Sequence, residues 1–134
     1  MAPNSTVTVH SLMQVAQRST DLDASVAFYR DVLGGRFLGK FTPPGLAFVE
    51  LAGVRLLFEE AASASTLYFR VDDLDAAYRS IRLRNVVFED QPHLIHRDDT
   101  GQFGAPGEEE WMAFLRDPSG NLIGLVERRL SSRA

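Results

Sequence analysis

The chain contains an internal repeat, and this repeat constrains the possible fold more than any other feature of the sequence. Residues 18–24 read RSTDLDA and residues 70–76 read RVDDLDA, so five of seven positions match at an offset of 52 residues. Arg30 and Arg82 match at the same offset. Self-similarity at a fixed offset indicates that one supersecondary unit is built twice.

Each copy of the motif is followed by a pattern typical of an amphipathic helix, with apolar residues recurring on one helical face. These residues are Leu22, Val26, Tyr29 and Leu33 in the first copy and Leu74, Tyr78 and Ile81 in the second. Asp21 and Asp73 are suited to the N-cap positions. The predicted helix ends are Gly34 with Gly35, and Asn85, because these residues tolerate the left-handed conformation.

Strand candidates lie on either side of each helix. They cover residues 12–18, 36–41, 46–51 and 54–59 in the first copy and residues 66–71, 86–89, 111–116 and 121–127 in the second. Turn sequences rich in Pro, Gly, Asp and Ser separate several of them. The pattern predicts an α+β fold of two paired βαβββ modules. Pseudo-twofold symmetry would relate the modules, which would form a curved mixed sheet with a concave ligand face.

The predicted modules cover about residues 8–64 and 65–128 of one domain that spans residues 1–134, with a small-residue linker at 60–65. A module of about 55 residues is marginally stable alone, so the two are expected to pack together.

Composition excludes several classes of function. There is no cysteine, so a disulfide framework, an iron–sulfur cluster, a thiolate zinc site and a Cys nucleophile are ruled out. The 18 acidic and 14 basic residues give a net charge of −4, which argues against a nucleic acid partner. No apolar run approaches the roughly 20 residues of a membrane helix, and residues 1–10 do not read as a secretory signal. No membrane partner is therefore expected, and the cytoplasm is the expected location.

Two segments carry a resemblance to a known family. Residues 21–34 read DLDASVAFYRDVLG and residues 114–123 read FLRDPSGNLI. With them, about residues 10–128 resemble the vicinal-oxygen-chelate superfamily, which includes glyoxalase I, bleomycin-resistance proteins, fosfomycin-resistance enzymes, methylmalonyl-CoA epimerases and extradiol dioxygenases. The resemblance implies the paired-module fold and a homodimer, but it does not identify one activity.

The resemblance also implies where a divalent cation would bind, with one ligand on each of four strands. The implied positions are Gln14, Leu57, Thr66 and Gly124. Such a site uses His, Glu or Gln side chains, and only Gln14 is of this type. The standard metal site is therefore predicted to be missing. An unconventional site built from His93, His96 and the acidic residues 108–110 stays open, although strand residues three apart are expected to point to opposite faces.

Period-two alternation suggests which side chains share the concave face with Gln14. The candidates for ligand binding are Gln14, Arg18, Thr66, Tyr68 and Arg70. Gln14 is equally expected to be a polar group satisfied inside the sheet. For Arg18 and Arg70, ion pairs with the adjacent helix-capping aspartates are the favoured interpretation. Tyr68 either contacts a ligand or packs in the core.

Four further residues are singled out in the second module. His96 and Glu110 are the candidate catalytic residues for proton transfer beside a carbonyl. Trp111 either walls the ligand site or packs in the core. Phe103 lies in the long loop 98–109, for which a lid over the concave face is a hypothesis.

The sequence thus favours a small-molecule-binding protein that resembles the bleomycin-resistance branch and uses no metal. The alternative is a lyase or epimerase, resembling glyoxalase I or methylmalonyl-CoA epimerase, with an unconventional metal site or metal-free acid/base catalysis. Lactoylglutathione lyase and dioxygenase activity are not expected. The ligand cavity would lie either within one chain or between two chains of a homodimer.

Overall fold

The computed structural model describes residues 7–130, which form two helical segments and eight strands. The first half contains β1 (Gln14–Arg18), α1 (Leu22–Ala27) with a π-helical extension (Phe28–Val32), β2 (Arg36–Phe41), β3 (Leu46–Leu51) and β4 (Val54–Glu59). The second half contains β5 (Thr66–Arg70), α2 (Leu74–Arg82), β6 (His93–Asp98), β7 (Glu108–Arg116) and β8 (Leu122–Leu130). The order of elements is therefore βαβββ twice, as the repeat predicts.

The two halves have the same sheet topology. The first sheet has the order β1-β4-β3-β2 and the second has the order β5-β8-β7-β6. In each sheet the first and last strands of the unit pair in parallel, and the other pairs are antiparallel. This topology confirms the predicted α+β fold of paired βαβββ units. The mixed sheet is divided, however, because each unit builds its own four-stranded sheet.

The second strand of the second unit is not where the sequence predicts it. Residues 86–89 form only an isolated bridge, between Phe88 and Leu115, and the strand that pairs with β7 is β6 at His93–Asp98. Phe88 instead packs against Tyr78 of α2, with ring centroids 4.7 Å apart. The segment meets β7 only at this bridge, and β6 makes the extended pairing with β7, so tertiary pairing overrides strand propensity here.

The helix termini follow the prediction. Asp21 and Asp73 are the N-caps, and their carboxylates accept hydrogen bonds of 3.0 Å from the amides of Ala24 and Ala76. The backbone of Asn85, just past the end of α2, has a φ of +62°. These capping bonds satisfy amide groups that the first turn of each helix would otherwise leave unpaired.

Gly35 is required by a close approach between α1 and β3. A Cβ atom at this position would lie 2.6 Å from Cγ1 of Val49 and 2.9 Å from the carbonyl oxygen of Tyr29. The Gly35 amide donates a 2.8 Å hydrogen bond to that same carbonyl. The preceding Gly34 has a φ of +80°, so both glycines serve the helix end that the sequence predicts.

One hydrophobic core includes side chains from both units. The buried members come from α1, α2 and one face of each sheet, among them Val26, Tyr29, Val49, Phe58, Leu74, Leu115, Ile123 and Leu125. The opposite face of each sheet carries no helix and is left open. No helix among the described residues is long and apolar enough to cross a membrane.

Candidate functional site

The open face of the first sheet holds a depression of about 330 Å³. All four strands contribute to its lining, which consists of Gln14, Leu38, Phe41, Phe48 and Arg55. A β-bulge in β2 leaves Leu38 between the paired residues Phe37 and Gly39. Bulges change the direction in which a strand presents its side chains, so Leu38 reaches a depression that regular alternation does not predict for it.

Arg55 and Gln14 form the polar part of this depression. They are register partners on the parallel strands β1 and β4, and Nε of Arg55 donates a 2.7 Å hydrogen bond to Oε1 of Gln14. The guanidinium carbon of Arg55 lies 5.7 Å from the centroid of the Phe48 ring. Sequence reasoning missed Arg55, although a lone cation in the apolar run of β4 is the signal that would have indicated it.

The four implied metal positions do not fit a divalent cation. The amide oxygen of Gln14 already accepts the hydrogen bond from Arg55, and Leu57 is apolar. Thr66 offers only a hydroxyl, at the start of β5. Gly124 has no side chain, and a Cβ there would lie 2.7 Å from the Tyr68 ring. An aromatic ring therefore covers the position where the resemblance implies the fourth ligand.

Titratable side chains elsewhere in the described part of the chain do not form a metal site either. Among residues 7–130, no three His, Cys, Asp or Glu side chains are grouped so that they could hold a metal ion. The unconventional site considered from the sequence, with His93, His96 and residues 108–110, is therefore not assembled in this structure.

A second depression, of about 340 Å³, lies on the open face of the second sheet. Its lining consists of Tyr68, Arg70, Glu110, Met112, Val126 and Arg128. Tyr68 is 57% exposed and meets Phe114 edge to face, with centroids 6.0 Å apart. Two residues predicted from the sequence, Tyr68 and Arg70, thus reach this face together with Glu110.

Arg128 is neutralised by carboxylates around it. Its Nη1 atom lies 2.6 Å from Glu110 and its Nη2 atom lies 2.9 Å from Asp98. Glu108 lies 3.6 Å from Nη2. The two depressions therefore differ in electrostatics, because acidic groups surround Arg128 of the second and no carboxylate lines the first. Arg70, the other arginine of the second depression, forms no ion pair among the described residues.

The two candidate catalytic residues lie side by side. His96 on β6 is the register partner of Glu110 on β7, and cross-strand partners share one face of a sheet. His96 is exposed, and its ring meets Phe103 with centroids 5.8 Å apart. The Glu110 carboxylate is held by Arg128, so its ion pair competes with any role as a general base.

A β-bulge corrects one expectation about the histidines. The register of β6 shifts between Leu94 and His96, so that His93 pairs with Met112 and His96 with Glu110. Both partners line the second depression, so the two histidines are not on opposite faces as simple alternation predicts. Ile95 is the extra residue of this bulge. It places His96 on the same face as His93, although residues three apart in a regular strand point to opposite faces.

Asp98 anchors the loop that carries Phe103. Its carboxylate accepts hydrogen bonds from the amides of Gln102 (2.7 Å) and Phe103 (2.9 Å) and from Arg128. Burial by itself would raise the pKa of Asp98. The hydrogen bonds from Phe103, Arg128 and Gln102 outweigh burial and lower the pKa to about 2. Phe103 itself is 67% exposed.

The structure places Trp111 according to one of its two alternatives, and it lacks the ion pairs expected for the two motif arginines among the described residues. Trp111 alternates with Glu110 and Met112, so it faces the core side, where Arg129 lies 4.5 Å from its ring centroid. It does not wall either depression. The ion pairs expected for Arg18 and Arg70 do not form within the described residues, where Asp21 and Asp73 bind backbone amides.

Two βαβββ units that share a core and leave one face of each sheet open define a class of proteins with a common architecture. The chain matches the Glyoxalase/Bleomycin resistance protein/Dioxygenase superfamily over residues 11–125, and it belongs to that superfamily. It matches none of the curated proteins compared with it.

Solved structures share the fold. A lactoylglutathione lyase from Agrobacterium tumefaciens is 27% identical, with a TM-score of 0.65 over 87% of this chain and 92% of that one. TnmS3, an antibiotic binding protein from Streptomyces sp. CB03234, is 21% identical, with a TM-score of 0.70 over 91% of this chain and 98% of the other. A superfamily member from Alicyclobacillus acidocaldarius is 20% identical, with a TM-score of 0.65 over 88% and 91% of the two chains.

Proposed function

We propose that this protein binds a small organic molecule on an open sheet face and needs no divalent metal to do so. The proposal rests on one observation: the four positions implied for metal ligands do not offer a suitable ligand set. The amide oxygen of Gln14 accepts a hydrogen bond from Arg55, and the Tyr68 ring covers Gly124. Depressions of about 330 and 340 Å³ on these faces are of the size that small ligands occupy.

The relatives support binding and also define the competing possibility. One solved relative is an antibiotic binding protein, and another is a lactoylglutathione lyase. The lyase is more similar in sequence, but the residues of this chain do not supply the metal ligands that such chemistry needs. We therefore favour binding, and lactoylglutathione lyase activity is not expected.

Assembly into a homodimer is part of the proposal. The two depressions contain large apolar side chains that are exposed, including Leu38, Phe41 and Tyr68. A second copy of the chain would cover such surface and would deepen a shallow depression into a cavity. The ligand would then lie between two chains. A cytoplasmic location stays a prediction from the sequence.

The alternative function is metal-free acid/base catalysis by a lyase or epimerase. One observation favours it, namely that His96 and Glu110 are register partners next to the second depression. A His and a carboxylate on one face are a possible acid/base pair. The ion pair of Glu110 with Arg128 makes this arrangement the weaker of the two candidates.

The test combines metal content with ligand binding. Protein from metal-supplemented medium is washed without chelator and its metal content is measured. A panel of small molecules is then screened by thermal shift, with and without EDTA. We expect substoichiometric metal and stabilising ligands whose effect does not change with EDTA. Stoichiometric metal with turnover of the methylglyoxal–glutathione adduct would overturn the proposal.

A further inference from the structure

The polar groups of the first depression are hydrogen-bond donors. Because Nε of Arg55 is itself a donor, the atom of Gln14 that faces it must be the amide oxygen. The amide nitrogen of Gln14 and both terminal nitrogens of Arg55 remain available. Among residues 7–130, no carboxylate forms an ion pair with Arg55, whose described contacts are Gln14 and Phe48.

The acidic side chain that lies opposite Arg55 on the neighbouring strand is hydrogen-bonded to another arginine. Glu50 is the register partner of Arg55 across β3 and β4, so the two side chains share one face. Its carboxylate accepts hydrogen bonds from Nε (3.2 Å) and Nη2 (3.0 Å) of Arg36. The positive charge of Arg55 is therefore left for a ligand.

The rest of the first depression is apolar and largely aromatic. Phe41 and Phe48 meet edge to face, with centroids 5.8 Å apart, and Leu38 completes the lining. Aromatic edges and faces pack well against a flat ring. A volume of about 330 Å³ lies at the lower end of ligand pockets and suits roughly one or two fused rings.

The repeat gives an internal comparison for this combination. The positions of Gln14 and Arg55 correspond in the second unit to Thr66 and Leu122, which carry no charge. Of the two arginines that line the second depression, Arg128 is neutralised by Asp98 and Glu110, whereas Arg70 forms no ion pair among the described residues. The first depression therefore combines an unneutralised cation, a free amide donor and two aromatic rings in a lining without a carboxylate, whereas the lining of the second includes Glu110.

We propose that the first depression binds a small planar aromatic acid, whose carboxylate is held by Arg55 and Gln14 and whose ring lies against Phe41 and Phe48. A guanidinium matches a carboxylate in geometry and charge, and its remaining donors permit a paired hydrogen bond. This inference rests on the proposed small-molecule-binding function and names the ligand class for it.

The probe is 2-naphthoate, titrated into the full chain by isothermal calorimetry in the presence of EDTA. Two matched probes are the neutral 2-naphthamide and the cationic 2-naphthylmethylamine. We expect 2-naphthoate to bind about 10-fold or more tightly than 2-naphthamide, because hydrogen bonds to a charged group are the stronger kind. The amine is expected to bind more weakly still.

Two variants test the anion-binding groups. Arg55→Gln removes the charge, and the isosteric Gln14→Glu places a competing carboxylate against Arg55. Each is expected to weaken 2-naphthoate binding about 10-fold or more. Arg79→Gln makes the same change of charge on α2, outside both depressions, and is expected to change the affinity less than about twofold. Thermal unfolding of each variant verifies that it folds.

The outcomes separate this inference from the proposed function. Equal affinity for 2-naphthoate and 2-naphthamide, or unchanged naphthoate binding in a folded Arg55→Gln or Gln14→Glu protein, overturns the ligand class. If 2-naphthoate does not bind while other small molecules stabilise the EDTA-treated protein, the inference fails and the proposed function stands. If ligands bind only after a divalent metal is added, the proposed function itself fails.

Discussion

The hydroxyl of Tyr29 donates a 2.8 Å hydrogen bond to Oδ2 of Asp117, joining the helix of the first unit to the last turn of the second. Both side chains are buried, and Gln17 donates a 3.0 Å hydrogen bond to the same phenolic oxygen. Burial, and then the nearby Asp117 carboxylate, raise the pKa of Tyr29 well above its usual range. The tyrosine therefore stays a hydrogen-bond donor at physiological pH.

Removing this contact is expected to destabilise the whole fold. Tyr29→Phe leaves a buried carboxylate oxygen short of one donor, and we expect the free energy of unfolding to fall by about 1–3 kcal/mol. Urea denaturation measures this change. Tyr78→Phe is the matched control, because no described hydrogen bond involves the Tyr78 hydroxyl and that ring packs on Phe88. Equal losses in the two variants would show that the Tyr29 hydrogen bond has no special role.

The covered position of Gly124 leads to a prediction about packing. A Cβ there would lie 2.7 Å from the Tyr68 ring and 2.9 Å from the Phe114 ring. We expect Gly124→Ala to lower the free energy of unfolding by about 1–3 kcal/mol, because overpacking forces the rings to move. In a Tyr68→Ala background the loss should be smaller, since one of the two obstructing rings is gone. A double-mutant cycle measures the coupling, and simple additivity of the two changes would contradict the close contact.

The pKa of Asp98 predicts how stability depends on pH. The pKa falls from its usual 3.8 to about 2 in the folded chain. A carboxyl with a lower pKa in the folded state stabilises the fold above its unfolded pKa, and this stabilisation is lost as pH falls from about 4 to about 2. We expect Asp98→Asn to lower the melting temperature at pH 7 and to flatten the acid limb of the stability profile. Asp99→Asn, an exposed neighbour, is the control, and an identical acid limb in wild-type and Asp98→Asn protein would contradict the assignment.

Hydrogen exchange tests whether the loop before β7 is anchored. The amides of Gln102 and Phe103 bond to Asp98, so we expect them to exchange more slowly than exposed loop amides that lack an acceptor. Asp98→Asn should increase their exchange while β8 stays protected. The lid hypothesis also predicts that a bound ligand slows amide hydrogen exchange around Phe103. Protection around Phe103 that no ligand increases would eliminate the lid and leave the anchor.

Much of the fold could be predicted because its signals are local. The aspartate caps, the apolar helical faces and the left-handed helix ends are properties of short segments, and they recur at one offset. The misplaced strand at residues 86–89 shows the limit of such signals. Phe88 has strand propensity and bridges Leu115 of β7, but the extended pairing with β7 is made by residues 93–98, which pattern alone does not indicate.

The candidate site could be predicted only in part. Alternation predicts Gln14, Tyr68 and Arg70 on the concave face, and Glu110 is a candidate by residue type alone; all four line the two depressions. Arg55 and Leu38 were missed. Arg55 belongs to the first depression because it pairs with Gln14 on the neighbouring strand. Leu38 reaches it because of a β-bulge. Neither strand pairing nor a bulge can be read from the sequence of one strand. For Trp111 the sequence leaves a ligand role and a core role open, and the alternation of β7 turns the side chain towards the core.

The sequence by itself determined the repeated unit, its helix ends, its superfamily and the residue types at the four implied metal positions, because these depend on nearest neighbours along the chain or on residue identity. The tertiary structure decided which groups remain free to act. Arg55 and Arg128 have the same chemistry, yet Glu50 is drawn away from the first by Arg36, whereas Asp98 and Glu110 surround the second. Electrostatic interactions act through space between strands, so the availability of a charge is fixed by register and packing and not by the order of residues.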